Sequence, residues 1–331
     1  MEPHPPRVSV IVVNYGTAGL ALEAVASVLE RTDGTVTLDV HILDNGSPTG
    51  DAKQLAEAIA ERGWLDRVHL HISSDNLGFG RGNNLVLRAL SEPHRRPDFV
   101  FLLNPDARLR GPALDHLVGC LLEHPKAGVA GARLHDMDGN ASTSAFRFPG
   151  LAGEFAEAAS FGPITRCLGR WRIPLPAELP SGQVDWVTGA AALVRFDALQ
   201  QVDFFEPGFF LYYEEVDLMR RLGEAGWECR HVAEAVVDHV EGAATGLRGV
   251  EVGQRRRPAY WYQSRRLYFY RSHGRVGAIA CALAAISGAG VNHVHSRLRG
   301  RRPWIPDRFI RDSWIHMLRP LLTGWTPPQR P

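Results

Sequence analysis

Three carboxylates fall within four positions, Glu214, Glu215 and Asp217, directly behind the aromatic-rich run Phe209-Phe210-Leu211-Tyr212-Tyr213. Burial against aromatic rings disfavours a carboxylate's charge and raises its pKa, which is one way to make a general base. The same acids would also suit the first turn of a helix running through Met219-Arg220-Arg221-Leu222 to about Gly226, where they complement the dipole and cap free N–H groups. Taken alone, the stretch reads more readily as a helix start; the rest of the chain decides.

Four further groups have chemistry-bearing types. Asn104-Pro105-Asp106 sets two oxygen-bearing side chains two apart, a pattern for holding Mg²⁺ or Mn²⁺ against a diphosphate, and equally a common turn. Asp44 can accept the ring N–H of a uracil or thymine base, or cap a helix. In Asn76-Leu77-Gly78-Phe79-Gly80-Arg81-Gly82-Asn83-Asn84 the glycines let backbone approach a phosphate or sugar closely. The glycine spacing and the position after a third strand do not fit a dinucleotide-binding fingerprint, and no Walker sequence occurs. His239 follows a strand beside Asp238, where a lone histidine is either a ligand or a structural residue.

The elements that must position these residues alternate. Val8–Val13 is a β-branched run ending in Asn14-Tyr15-Gly16-Thr17, followed by helical spacing of Leu20, Leu22, Val25, Val28 and Leu29. Leu38–Leu43 leads into Asp44-Asn45-Gly46-Ser47 and a helix at about Ala52–Arg62. Val68–Ile72 leads into the glycine loop and a helix to about Leu90. Asp98–Leu103 leads into Asn104-Pro105-Asp106, with a helix from Pro112 through Leu122 and a strand at Gly128–Leu134. Strands alternating with helices predict an α/β fold with a mostly parallel sheet, in which ligands bind at the carboxyl ends of the strands. All four polar loops fall at such ends, so together they predict one composite site.

Asn140–Pro180 is rich in Phe, Gly and Pro and weakly periodic, and predicts a long excursion over that site. Val184–Val194, interrupted at Thr188-Gly189-Ala190, predicts a strand making a close approach at Gly189. Two short strands are expected near Arg230 and Val236, ending in Asp238-His239.

The net charge of +1 conceals an asymmetry. From Gly246 onward there are 16 arginines and 3 acids, a balance of +13, which leaves −12 for the preceding residues. This marks a boundary, with one domain over 1–245 and a basic, mainly helical extension over 246–331. It also predicts an anionic partner, either a membrane surface or a phosphorylated substrate, while no nucleic-acid motif occurs. The 21 residues between Arg275 and Arg297 carry no formal charge. Their Ala/Gly content, with Asn292, His293 and His295, favours a buried or interfacial helix over a membrane span. Four scattered cysteines without metal or redox spacing point to a reducing compartment, and Met1–Pro6 lacks the features of a signal peptide. The expectation is a cytoplasmic protein, peripheral at the membrane's inner face if the basic part meets lipid.

In order and spacing, Val12-Val13-Asn14-Tyr15, Asp44-Asn45-Gly46-Ser47, Asn76-Leu77-Gly78-Phe79 with Gly82-Asn83-Asn84, Leu102 to Asp106, Val187-Thr188-Gly189-Ala190 and Phe210 to Leu218 resemble family 2 glycosyltransferases of the GT-A fold, in their rhamnosyltransferase-like branch. The resemblance runs from Val8 to about Tyr270.

The resemblance implies transfer of a sugar from a nucleoside-diphosphate donor to an acceptor hydroxyl, with inversion at the anomeric carbon. Asp44 would read the base, dTDP or UDP, with Asn14 and Tyr15 nearby and Asn76, Gly78, Arg81 and Asn84 on the donor. Asp106 would be the last residue of the metal motif, with Asn104 where many members have Asp, and His239 would approach the metal, Mg²⁺ or Mn²⁺, from the other side. Glu215 would be the base, with Glu214 as the alternative. The family pair usually ends in Asp, so the carboxylate here is longer by a methylene. Gly189 and Asp217 would lie on the acceptor side, and the donor sugar would be rhamnose or a related deoxysugar. A saccharide, lipid-linked or small-molecule acceptor would fit. A nucleotidyltransferase of similar fold, or an impaired nucleotide-sugar binder, are the alternatives. The first is disfavoured because no Gly-rich basic loop follows the first strand.

Overall fold

The computed structural model describes residues 5–30, 36–240 and 254–328. In chain order it contains β1 (Arg7–Asn14), α1 (Ala18–Glu30), β2 (Thr37–Asn45), α2 (Asp51–Glu61), β3 (Val68–Ser73), α3 (Phe79–Ala89), β4 (Phe99–Leu103), β5 (Ala107–Leu109), α4 (Ala113–Glu123) and β6 (Ala127–His135). The short strands β7 (Ala141–Ser142) and β8 (Ala145–Phe146) and the helices α5 (Leu151–Ala159) and α6 (Gly162–Cys167) follow. Next come β9 (Gly182–Val184), β10 (Trp186–Val187), β11 (Ala191–Arg195), α7 (Phe196–Gln201), α8 (Glu214–Glu224) and β12 (Glu228–His239). The C-terminal part is α9 (Ala259–Leu298) and α10 (Phe309–Ser313), continued by a π-helical turn over Trp314–Leu318 and a last helical turn over Arg319–Leu322.

The sheet order is β3-β2-β1-β4-β11-β6-β12-β5. β3, β2, β1 and β4 are mutually parallel, β11 runs antiparallel between β4 and β6, and β12 returns parallel to β6. This is a mixed, mostly parallel α/β sheet, as the alternation of strands and helices predicts. Parallel register sets Asn14 opposite Asp44, so the loops that follow leave the sheet at one edge. Strand alternation divides the apolar residues between two cores. Val8, Val10 and Val12 face one core with α1 and α4, while Ile11, Leu43, Val100 and Leu102 face the other with α3, α7 and α8. A third core joins α9 and the terminal helices to Phe209 and Val216, on either side of the carboxylates.

The structure changes four expectations. The glycine loop is largely helical: α3 begins at Phe79, because Gly78 takes φ 78° as its cap and leaves the following glycines free to pack closely. The two short strands near Arg230 and Val236 are one strand, β12, with a register shift against β6 between Val232 and Val236. Val184–Val194 is three strands in two sheets rather than one. The excursion after Asn140 has elements of its own, and α5 packs along α9, where Gly288 lies against the Phe155 carbonyl so closely that a Cβ would fall 2.4 Å from it. The expected boundary at 245/246 lies outside the described residues.

Candidate active site

The carboxylates are launched by an unusual turn. Tyr212 and Tyr213 both adopt left-handed backbone (φ 71° and 69°), which swings the chain from the aromatic run into α8. The turn is held from two sides. From α9, Ser264 Oγ donates to the Leu211 carbonyl (2.9 Å) and Arg265 Nε donates to the Tyr213 hydroxyl (3.1 Å). From α3, Phe79 N–H donates to the Phe210 carbonyl (3.2 Å). That contact requires glycine before it, since a Cβ on Gly78 would sit 1.8 Å from the Phe210 oxygen.

Glu214 and Glu215 then face a cavity of about 870 Å³. Glu214 is buried and Glu215 partly so, and one carboxylate oxygen of each, Oε2, is buried with no hydrogen-bond partner. Burial raises the Glu214 carboxyl well above its ordinary value, with the neighbouring Glu215 charge adding to the effect. Burial also raises Glu215. A raised carboxyl lining a cavity is equipped to take a proton from a bound hydroxyl.

The same cavity is lined by Asn104, Asp106 and His239. Asp106 follows β4 and His239 ends β12; β12 pairs with β5 so that His239 lies opposite Ala107. His239 Nε2 is 3.2 Å from Asp106 Oδ1 and 3.4 Å from Asn104 Nδ2. Among the described residues no three His, Cys, Asp or Glu side chains cluster into a metal site on their own. The set Asp106, Asn104 and His239 nevertheless suits a hard divalent cation that draws its other ligands from water and a diphosphate. Gly189 lines the cavity beside Phe79 and Glu215.

Tyr15, Asn76 and Gly78 also line the cavity. Asn14 and Asp44 lie behind this lining. Asn14 Nδ2 donates to Asp44 Oδ1 (3.2 Å) and Asp51 Oδ2 (2.9 Å), and Ser47 Oγ donates to Asp44 Oδ1 (2.5 Å). Asn45 braces the glycine segment, donating to the Gly78 carbonyl (3.2 Å) and accepting from Leu77 N–H (3.1 Å).

Three other sequence-derived candidates are committed to the framework. Asn84 donates to the Phe205 carbonyl and accepts from its N–H, clamping α3 to the loop before α8. Arg81 Nε donates to the Leu77 carbonyl one turn earlier. Asp217 is fully buried and paired with Arg221 (2.7 Å) and Arg271 (3.0 Å). Burial opposes its charge, but these arginines outweigh burial and hold its carboxyl below the ordinary value. The sequence reading also missed lining residues, namely Asn45, Tyr212 and the run Arg255 to Tyr260. Tyr260 stacks on Tyr212 (6.1 Å between ring centres) and meets Phe210 edge-on (5.5 Å). The concentration of arginines just before an aromatic cluster was the available signal, but the charge boundary assigned it to a separate extension.

With this geometry in place, similarity to known proteins becomes informative. The description Glycosyltransferase like family 2 matches residues 5–264. The chain belongs to this family. It is 32% identical over 248 residues to an N-acetylglucosaminyl-diphospho-decaprenol L-rhamnosyltransferase of Mycobacterium tuberculosis, covering 72% of this chain and 77% of the relative. It is 29% identical over 176 residues to Rhamnosyltransferase WbbL of Escherichia coli, covering 49% of this chain and 60% of the relative. Among solved structures it is similar to GalNAc-T7 with UDP, GalNAc and Mn²⁺ (TM-score 0.58, 11% identity, 98% of this chain and 57% of that chain). It is also similar to a mannosyltransferase from Pyrobaculum calidifontis in complex with GDP-Man and Mn²⁺ (TM-score 0.50, 16% identity, 98% and 77%). At these identities the structures establish the GT-A fold. This family 2 glycosyltransferase is thus an enzyme that transfers sugar from a nucleotide sugar.

Proposed function

We propose that this glycosyltransferase moves a rhamnose, or a related deoxysugar, from a dTDP- or UDP-sugar to an acceptor hydroxyl with inversion at the anomeric carbon. The observation that carries this reading is the raised carboxyl of Glu215, which lines one cavity together with the pair Asp106 and His239. Glu215 takes the acceptor proton, the acceptor oxygen forms a bond to the anomeric carbon, and the bond from that carbon to the diphosphate oxygen breaks with its electron pair leaving on the diphosphate. Attack opposite the leaving group inverts the centre in one displacement. Burial of both carboxyls, and the Glu215 charge acting on Glu214, favour proton uptake by the pair as a unit.

Asp106, His239 and Asn104 would hold a Mg²⁺ or Mn²⁺ ion, which would supply charge stabilisation to the departing diphosphate. Asp44, Asn14 and Asn45 order the loops around Tyr15 and Asn76, where the nucleoside is placed. The acceptor is proposed to be lipid-linked, by analogy with the mycobacterial relative, whose name gives an N-acetylglucosaminyl diphosphate on decaprenol. A cytoplasmic protein peripheral to the membrane suits such a substrate.

The test is a screen of nucleotide sugars with Mn²⁺ and N-acetylglucosaminyl diphosphate on a short prenyl chain. The expected result is release of nucleoside diphosphate and a product whose anomeric configuration, read by NMR, is opposite to the donor's. Retained configuration, or pyrophosphate release from a nucleoside triphosphate, would overturn the reading.

A further inference from the structure

A second cavity, of about 680 Å³, lies beyond Glu215. It shares three residues with the first, Tyr212, Glu215 and Arg257. Two of the three hold buried polar atoms of opposite character with no partner, Glu215 Oε2 and Arg257 Nε. These atoms are buried, so it is the rest of each side chain, a carboxylate and a guanidinium at the junction, that both chambers share. Glu215 therefore faces two chambers, and only one of them is needed for the donor.

The walls of the second chamber have a distinct chemistry. Phe146 and Trp186 stack at 4.1 Å between ring centres and 13° between planes, and both line it. Trp304 lines it while remaining 51% exposed. Glu154 and Arg265 form a buried pair, and the other charged side chains of the wall are Glu157, which lies beside Arg172, together with Arg172 and Arg257. Aromatic faces take the C–H surface of a sugar ring, a carboxylate accepts from hydroxyls, and guanidinium groups take phosphate oxygens. Trp304 and its neighbours Ile305 and Phe309 lie beyond residue 264, where the family match ends.

We propose, resting on the reading above, that this second chamber is the acceptor site, and that it takes a saccharide bearing a phosphate group, held by its aromatic wall and by Arg172 and Arg257. The acceptor hydroxyl would then reach Glu215 from the side opposite the donor, as in-line displacement requires. Acceptor choice would reside in α5 and the C-terminal helices rather than in the sheet.

The experiment measures binding to the protein saturated with nucleoside diphosphate and Mn²⁺, using three probes. These are N-acetylglucosamine, its 1-phosphate, and N-acetylglucosaminyl diphosphate on a short prenyl chain. The variants are Trp304→Ala and Arg172→Ala, both at exposed positions where folding is least affected. Expected are at least tenfold weaker binding of the phosphorylated probes in each variant, with nucleotide affinity and thermal stability unchanged. Equal affinity for the 1-phosphate and the prenyl form would locate recognition in the sugar phosphate; tighter binding of the prenyl form would add the lipid chain. Undiminished binding in both variants, or equal affinity for unphosphorylated N-acetylglucosamine, would overturn the assignment. Failure of the underlying reading would look different: the unmodified protein would not bind nucleoside diphosphate, and the acceptor assignment would fall with it.

Discussion

At the scale of single residues, two groups of acids share one helix and have opposite fates. Glu214 and Glu215 are raised by burial, whereas Asp217, three positions on from Glu214, is lowered because arginines outweigh the same burial. The sign of the linkage follows. A carboxyl raised in the fold binds a proton more tightly there than in the unfolded chain, so stability is lost as pH rises from the ordinary value of 4.5 through the raised one. Glu214→Gln is therefore expected to raise the melting temperature at neutral pH and to flatten its dependence on pH, read by thermal unfolding across buffers. The acidic limb of the transfer rate is expected above 4.5, since the pair must lose a proton to act. For Asp217 the sign reverses: its contribution is present above its unfolded pKa and lost as pH falls through the lowered one. Asp217→Asn leaves Arg221 and Arg271 without their shared partner and is expected to destabilise by about 3–5 kcal/mol in denaturant unfolding. All three acids were visible in the sequence at a helix start. Which of them faced the cavity was not, because Arg271 lies 54 positions away from Asp217.

At the scale of elements, the strand ends were legible because each β-branched run terminates in Asn or Asp, and parallel register puts those ends together. The glycine segment was harder. Its glycines read as a loop, yet Gly78 is a cap and the others bring α3 against the loop before α8: a Cβ on Gly80 would lie 3.2 Å from Phe205 Cβ and 3.4 Å from Glu214 Cβ. The packing partner is more than 100 residues away in sequence, so no local pattern could report it. Gly78→Ala is expected to destabilise by more than the ~1–2 kcal/mol of a left-handed non-glycine residue, because the new methyl also meets the Phe210 carbonyl. Urea unfolding measures the loss, and titration with nucleoside diphosphate should show weakened binding in the folded remainder. β12 was read as two strands because its register shift falls in the middle of the sequence pattern, while the strand itself continues.

At the scale of the whole molecule, the C-terminal part closes the site instead of standing apart from it. α9 is bent at Gly274 (φ 67°), and its first half braces the carboxylate turn. The second half packs on α5 with one side. Its other side exposes Val276, Leu283, Val294 and Leu298, which recur at intervals that place them on one stripe, with no formal charge between Arg275 and Arg297. The helix is long and apolar enough to cross a membrane by length and composition, with 33% of its most apolar window buried. A stripe flanked by Arg275 at one end and Arg297, Arg299, Arg301 and Arg302 at the other suits the surface of an anionic bilayer. The protein is expected to float with vesicles containing anionic phospholipid, and Leu283→Asp with Val294→Asp is expected to abolish flotation while leaving nucleotide binding intact. Flotation unchanged in that variant would remove the stripe from the role. The charge asymmetry predicted an anionic partner; Arg255 to Tyr260, on its basic side, line the active cavity, because charge balance does not report packing.

The claim on which the account turns is that Glu215 is the base. The most direct test is single-turnover transfer by Glu215→Gln, with nucleotide-sugar affinity measured by calorimetry on the same preparation. The account predicts a rate lower by about 10²–10⁴, the usual worth of a positioned general base, with donor affinity within a few-fold of the unmodified protein. A rate unchanged in Glu215→Gln, with Glu214→Gln carrying the loss instead, would contradict it.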